Sequence, residues 1–419
     1  MINDFNKEIL FIKSILILIS LVPFFLLSGP FIADFLLSLI SIYTIILIIV
    51  KKEWVFIKNP LIYLLTILYL FILFRTFYEN FYNADYEIQS NIFYFRFIFF
   101  ITTISYWIYK FPLIINFLKY TLPFLLFFVI IDGLMQYYIG YNIFGILRRG
   151  DRIGGFFGEE LILGSYVSRW IPLALALLFF FHFNKKRYLN FVSIFIITAF
   201  ILIYLTGERA AFIIFCLSLI LFFIYFNKLE FSNIISIFVS ILIIFLITLY
   251  TQNSHVRMYK TTLDQLGLNS NDKNFFDSSY GKIYFSAYKI FLQQPYIGIG
   301  PKNYEKFCED KKKLDSNLYC VNHPHNYYLQ TLTELGASGF LFFIIFYLYL
   351  LYCLIKFYKI RRTKKNIIYL SCLISAIISL SPFMPHGSFY NGWLNTIIFF
   401  NLGIFNVINI KNLTNTLNE

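Results

Sequence analysis

Two short stretches carry the residue types and spacings that could do chemistry. The first is "LTGERAAF", residues 205–212, where a few polar residues join two long apolar runs. Arg209 is thereby held at a membrane surface by two helices. One reading is an interfacial arginine whose stem lies in lipid and whose head reaches water. The other is a phosphate clamp, since a guanidinium is always charged and grips two oxygens at once. The second stretch is "VNHPHNYYLQTLTELGASGF", residues 321–340, just before another apolar run. Pro324 blocks helix ahead of it, and the residues from His325 onward read as a helix entering the membrane. His325 then lies near that helix's N-terminus, where the dipole disfavours an imidazolium, so a neutral ring can accept a proton. Gly336 and Gly339, three apart on one face, allow a close helix contact. The plainer reading is a polar cap followed by small packing residues.

The elements that must position these groups are membrane helices. The chain has 419 residues, 59% hydrophobic and only 14% charged, with a mean hydropathy of +0.70. One aqueous core cannot hide that much apolar surface. Apolar runs at 9–28, 31–50, 60–78, 92–109, 121–138, 165–183, 189–206, 210–226, 233–250, 335–357, 366–384 and 393–410 are each near the length that crosses a bilayer. They lack the alternation of barrel strands. The expected fold is all-α and polytopic, with about twelve transmembrane helices and one large periplasmic loop. It divides into nine spans in 1–250 with an outer loop at 139–164, a large loop at 251–334, three spans in 335–410, and a tail at 411–419. The first apolar stretch has no clear cleavage site and reads as a retained signal anchor.

The net charge of +13 is scattered between apolar runs, which argues against a nucleic-acid partner. Lysines and arginines at 51–58, 110–119, 185–187, 228 and 359–365 fall on one face if the N-terminus is cytoplasmic, while Glu79, Asp85 and Glu87 fall on the other. By the positive-inside pattern both termini are cytoplasmic and both long loops lie outside. Four of the five histidines (His255, His323, His325 and His386) share that outer face. Cys308 and Cys320 also lie there, either bridged in an oxidising compartment or as two free thiols. Cys216, Cys353 and Cys372 lie in spans, as packing residues.

The pattern His325-Asn326, a nine-residue spacer, Gly336, two residues, Gly339 resembles the signature of the O-antigen ligase and O-antigen polymerase superfamily. "TGERAAF" resembles that family's arginine turn. "YKIFLQQPYIGIGPKNYEKF" (288–307), with Pro295, Gly298 and Gly300, resembles its Pro-x-x-Gly-x-Gly segment, and "DRIGGFFGEELILGSY" (151–166) its outer segment before a span. The resemblance covers 150–340 by motif. It implies a membrane-embedded glycosyltransferase of the bacterial inner membrane with its active site facing the periplasm. Such enzymes pass a glycan from an undecaprenyl diphosphate donor to a sugar hydroxyl.

On that resemblance Arg209 binds the diphosphate and His325 orients or deprotonates the acceptor hydroxyl. A second basic group usually comes as an arginine shortly before the Pro-Gly-Gly segment. Here "DSSYGKIYFSAYKIF" offers Tyr280 and Lys282 instead, with Arg257 or Lys289 as substitutes. Arg152, Asn326, His323 and Glu159 complete the substrate-binding candidates. His386 reads as a histidine in a surface turn, and Tyr327 and Tyr328 as part of an interfacial aromatic belt. No cofactor or metal is expected, because the outer face lacks an Asp-x-Asp pair. The leading function is O-antigen ligase with a lipid A–core acceptor, ahead of O-antigen polymerase and a protein O-oligosaccharyltransferase. A transporter of lipid-linked glycans is the non-enzyme alternative. Asp34, Arg75, Arg96 and Asp132 lie in or near spans as that class requires, but no repeated halves are visible.

Overall fold

The computed structural model describes residues 2–82, 89–150, 152–178, 185–226, 231–250, 256–265, 275–360 and 363–417. The fourteen principal helices follow in chain order: α1 (Ile2–Ser20), α2 (Pro30–Val50), α3 (Pro60–Tyr82), α4 (Arg96–Lys110), α5 (Ile114–Ile139), α6 (Leu163–Leu178), α7 (Lys185–Leu205), α8 (Arg209–Phe226), α9 (Phe231–Tyr250), α10 (Ser279–Phe291), α11 (Tyr304–Lys312), α12 (Tyr327–Lys356), α13 (Lys364–Ser379) and α14 (Gly392–Leu417). Each of the expected apolar runs overlaps one of these helices. Among the described residues there is no β-strand, only isolated bridges such as Tyr141 with Leu147.

Among the described residues six helices (α2, α3, α5, α8, α12 and α14) are long and apolar enough to cross a membrane. The pair Ile9–Ser20 and Val22–Ser28, bent by 51° where Pro23 lies in the first turn of the second piece, passes the same test when its two pieces are taken as one span. Stretches of α6, α7, α9 and α13 are apolar but shorter. The run at 92–109 is helical throughout, a short helix (Gln89–Ile92) and a 3₁₀ turn (Phe93–Phe95) leading directly into α4.

The centre of the molecule is α14, whose membrane-length window is wholly buried. It lies against α4 and α13, while α6 packs on α5, α8 and α13. Side-chain hydrogen bonds tie these apolar helices together, as expected where lipid removes the hydrophobic drive for association. Ser105 Oγ donates to the Gly403 carbonyl at 3.0 Å, Asn406 donates to Ser105 at 3.2 Å, and Thr396 donates to Asp34 at 2.8 Å. Arg96 pairs with Asp34 at 3.0 Å, so two of the ionisable groups found near spans are structural partners.

The segment 275–326 builds a small unit of its own. Ser278 caps α10 through the Gly281 N–H at 3.1 Å. A compact core of Ala287, Ile290, Ile299, Tyr304, Cys308 and Leu318 holds α10 and α11 together. Cys308 and Cys320 are joined in a disulfide, and Lys289 pairs with Asp315 at 2.7 Å.

The expected single helix carrying Gly336 and Gly339 is corrected by the structure. α12 starts at Tyr327 and is broken at Gly336, which takes φ 66° and ψ −173°. That backbone region is essentially closed to any residue with a side chain. The Pro-x-x-Gly-x-Gly segment fills the break. Ile299 and Gly300 donate their N–H groups to the carbonyls of Thr333 and Glu334, at 3.0 and 2.9 Å. Ala337 and Ser338 donate to the carbonyls of Pro295 and Tyr296, at 2.8 and 3.2 Å. The backbone groups freed by the break are thus paired, the condition for non-helical chain at membrane depth. Gly298 must be glycine too, because a Cβ there would lie 2.4 Å from the Glu334 and Gly336 backbone. Its carbonyl accepts from the fully buried Arg75 at 2.6 Å. Gly339 packs against Phe71 of α3.

Candidate active site

The nine-residue spacer of the histidine motif is the part of α12 that precedes its break at Gly336. At about 1.5 Å per residue it separates His325 from the break by roughly 13 Å. Asn326 is its N-cap: Oδ1 accepts the N–H groups of Tyr328 and Leu329, at 2.9 and 3.2 Å. The Asn326 amide donates to the Pro382 carbonyl at 3.0 Å. His325 lies just outside the helix with φ 53°, a left-handed conformation uncommon outside glycine. Its carbonyl accepts the His386 N–H at 2.8 Å. The turn between α13 and α14 therefore clamps the His325 backbone from two sides.

Arg209 opens α8, after a turn in which Gly207 takes φ 67°. The preceding Glu208 is spent on anchoring. Its two carboxylate oxygens accept the Gly164 and Ser165 N–H groups, at 2.7 and 3.0 Å, at the N-terminus of α6. Burial raises the Glu208 pKa, and these hydrogen bonds and Arg152 oppose that rise. Arg209 Nη1 donates to Thr262 Oγ1 at 3.3 Å. Arg152 reaches the same turn from the 140–162 connector, donating to the Thr206 carbonyl at 3.5 Å, and donates to the Leu161 carbonyl of its own connector at 3.2 Å.

Arg152, Arg209, His323, His325 and His386 line one cavity of about 730 Å³, with Tyr280 and Tyr284 on its wall. That volume falls in the range of small-molecule sites. The lining comes from five separate connectors, so the cavity exists only in the folded chain.

Burial favours the neutral form of all three imidazoles. The His323 and His325 rings are 4.2 Å apart between centroids, and His386 stacks on Tyr327 at 4.3 Å. Burial lowers the His325 pKa from its usual value. Burial, then His325, lowers that of His323 to about 4. Burial, then Arg169, lowers that of His386 to about 3. At neutral pH the cavity therefore offers two guanidiniums and three uncharged rings: a grip for an anion beside a proton acceptor.

The other candidates lie elsewhere. Lys282 is exposed and Glu159 is exposed, and neither lines the cavity. Glu159 uses its carbonyl to accept from Arg149 at 3.4 Å. Lys289 is engaged with Asp315. Asn326 caps rather than lines. His255 and the side chain of Arg257 fall outside the described residues. Among the described residues no group of three or more His, Cys, Asp and Glu side chains is placed to hold a metal ion.

Sequence reasoning passed over Glu208 and Arg169 and placed His386 on a surface turn. Glu208 stood beside Arg209 in the quoted hairpin. Arg169, 3% exposed within α6, donates from Nη1 to the Ser165 carbonyl at 3.0 Å. An arginine inside an apolar run is itself a signal. His386 is only 4% exposed, because the turn folds inward over Tyr327.

No curated protein matches the chain. A family described as O-antigen ligase matches residues 194–344. The matched stretch runs from α7 through the broken region of α12 and includes Arg209, Tyr280, His323, His325 and the plug at 295–300. The arginine hairpin, the capped histidine and the glycine break thus all lie within the stretch, residues 194–344, that is similar to the family described as O-antigen ligase.

Proposed function

We propose that this chain is an O-antigen ligase, transferring polysaccharide from undecaprenyl diphosphate to a sugar hydroxyl of lipid A–core. Arg209 and Arg152 hold the diphosphate and offset the charge that grows on it as it leaves. His325, neutral and lining the same cavity, takes the proton of the acceptor hydroxyl. The acceptor oxygen then bonds to the anomeric carbon while the bond from that carbon to the diphosphate oxygen breaks. The proton on His325 returns to solvent or to the departing diphosphate. The observation that carries this reading is the shared cavity of Arg152, Arg209 and His325.

The proposed setting is the bacterial inner membrane, with about twelve spans, cytoplasmic termini and the cavity facing the periplasm. Two facts support it. The cavity is lined from connectors that the charge pattern assigns to the outer face, and Lys51, Lys52 and Lys58 sit at the opposite helix ends. Two guanidiniums already meet the leaving charge, so transfer is proposed to need no metal. Activity is expected to survive EDTA, and loss restored by magnesium would refute this.

Deletion of the gene in its host tests the acceptor. A ligase mutant leaves lipid A–core bare while polymer collects on the lipid carrier. Core capped with one repeat would instead identify a polymerase. A transporter predicts that Arg209→Ala and His325→Ala proteins, correctly folded, retain full transfer.

A further inference from the structure

α10 has three faces, and one of them serves neither the core nor the cavity. Ile283, Ser286, Ala287 and Ile290 are buried, and Ala287 and Ile290 belong to the small core of the 275–326 unit. Tyr280 and Tyr284 line the cavity. The side turned away from the core carries Phe285, Tyr288 and Leu292 at helical spacing, and Tyr296 extends the row in the turn that follows. These four are 42, 51, 53 and 78% exposed. A helix on the surface of a water-facing unit carries polar residues opposite its core. Here that side is aromatic and aliphatic, and a contiguous exposed apolar row marks a contact surface.

The row leads into the lipid-facing surface. Its last member is tied to α12 at the break, where the Tyr296 carbonyl accepts the Ser338 N–H at 3.2 Å. Three residues beyond Ser338, Leu341 opens an exposed row of Leu341, Ile345, Leu348, Tyr352 and Ile355 along a helix of membrane length. Two residues after Tyr296, the Gly298 carbonyl accepts from Arg75 of α3 at 2.6 Å. The last turns of α3 expose Tyr78, Phe81 and Tyr82, and tyrosines at the end of an apolar helix mark the membrane interface. The foot of α10 therefore stands level with the aromatic end of a membrane-length helix. Lys282 and Lys289, seven apart, follow one edge of the row, and Lys289 Nζ lies 5.0 Å from the Phe285 ring centre. An apolar face bordered by lysines is the pattern of a helix that lies in the plane of a bilayer surface.

We infer that α10 is an interfacial helix. Its Phe285, Tyr288, Leu292 and Tyr296 side chains sink about 5–10 Å into the boundary of headgroups and acyl chains, on the cavity's side of the membrane. The partner of this surface is thus the bilayer itself. Because Tyr280 and Tyr284 of the same helix line the cavity, the contact sets the height at which the cavity opens. A phosphate carried by a membrane lipid lies at that height, so such a ligand reaches the cavity without leaving the bilayer. The inference holds whatever reaction the cavity performs.

The test places the full chain in nanodiscs of phosphatidylcholine, with or without bromine atoms on the upper part of the acyl chains, which quench nearby indole fluorescence. Tyr288→Trp and Phe285→Trp each put an indole in the row and keep an aromatic ring there. Leu314→Trp puts one on the exposed turn after α11. Each variant is read as its emission minus that of the parent. The indoles at 288 and 285 are expected to lose most of that emission in brominated lipid and to resist iodide added to the water. The indole at 314 should do the reverse. Bromine quenching in the row no greater than at 314 overturns the inference. Emission in the row that resists iodide yet ignores bromine also overturns it, since protein rather than lipid would then cover the row. If one row variant does not fold, the other decides.

Discussion

Two places near the start of α12 leave helical geometry, and they use the same backbone device to opposite ends. At Gly336 the chain takes a positive φ, and the 295–300 segment enters the gap and pairs the freed main-chain groups. At His325 the φ is also positive, and the main chain is pinned by the His386 N–H and, one residue on, by the Asn326 amide. There, however, His323, His325 and His386 line a cavity together with Arg152 and Arg209. One site spends its polar groups on locking the fold. The other locks only its backbone and presents its side chains. The nine-residue helical segment between them makes the first a foundation for the second: a rigid anchor at the break fixes where the imidazole stands.

The comparison is broken most severely at the break itself. In Gly336→Ala the new Cβ would lie 2.5 Å from backbone atoms of the 296–298 segment, and the conformation is strained as well. We expect a loss of at least about 3 kcal/mol, seen as a large fall in melting temperature and in recovery of monodisperse protein. Near-normal stability in that variant would show that the plug is not the foundation described.

The cavity should behave in the opposite way, losing activity without losing stability. Arg209→Ala is expected to lower turnover about 10²–10³-fold, with Arg209→Lys recovering part through charge without the fork. His325→Ala should cost about 10²–10⁴-fold. Both proteins should melt close to the parent temperature. Because burial depresses the His325 pKa, its free base persists as pH falls through 6.5, the ordinary imidazole value. The acid limb of kcat/KM that belongs to this base should therefore lie below 6.5 and vanish in His325→Ala. A limb above that value would contradict a buried neutral base.

How far these two regions were legible from residues alone follows the same division. Runs of apolar residues announce helices, because lipid demands long stretches with internal hydrogen bonding. The arginine turn and the histidine cap were visible for the same reason: a polar residue at the end of an apolar run has few places to go. The break at Gly336 was hidden. A glycine three residues from another glycine looks like a smooth packing face, and only the distant Pro295–Gly300 segment makes it a gap. His386 was misplaced because a short turn rich in Pro and Gly reads as surface. Its burial depends on Tyr327, a residue of another helix. Contacts between segments far apart in the chain leave no local pattern.

The mildest test concerns the second cation. An arginine is usual shortly before the Pro-Gly-Gly segment in proteins this chain resembles, and Lys282 stands near that position. Yet Lys282 is exposed and does not line the cavity, whereas its helix neighbours Tyr280 and Tyr284 do. Arg152, from a different connector, lines the cavity and is tied by hydrogen bonds to the Thr206 carbonyl at the Arg209 turn and to the Leu161 carbonyl of its own connector. An exposed lysine at the rim contributes a screened charge, so Lys282→Ala should change turnover by less than about twofold at physiological salt. Arg152→Ala removes a fixed guanidinium and should cost about tenfold or more. Turnover of the two variants, measured side by side in the same membranes, decides between them. If Lys282→Ala is the more damaging, the diphosphate is gripped from the long loop, and the cavity wall built on Arg152 is not where the leaving charge develops.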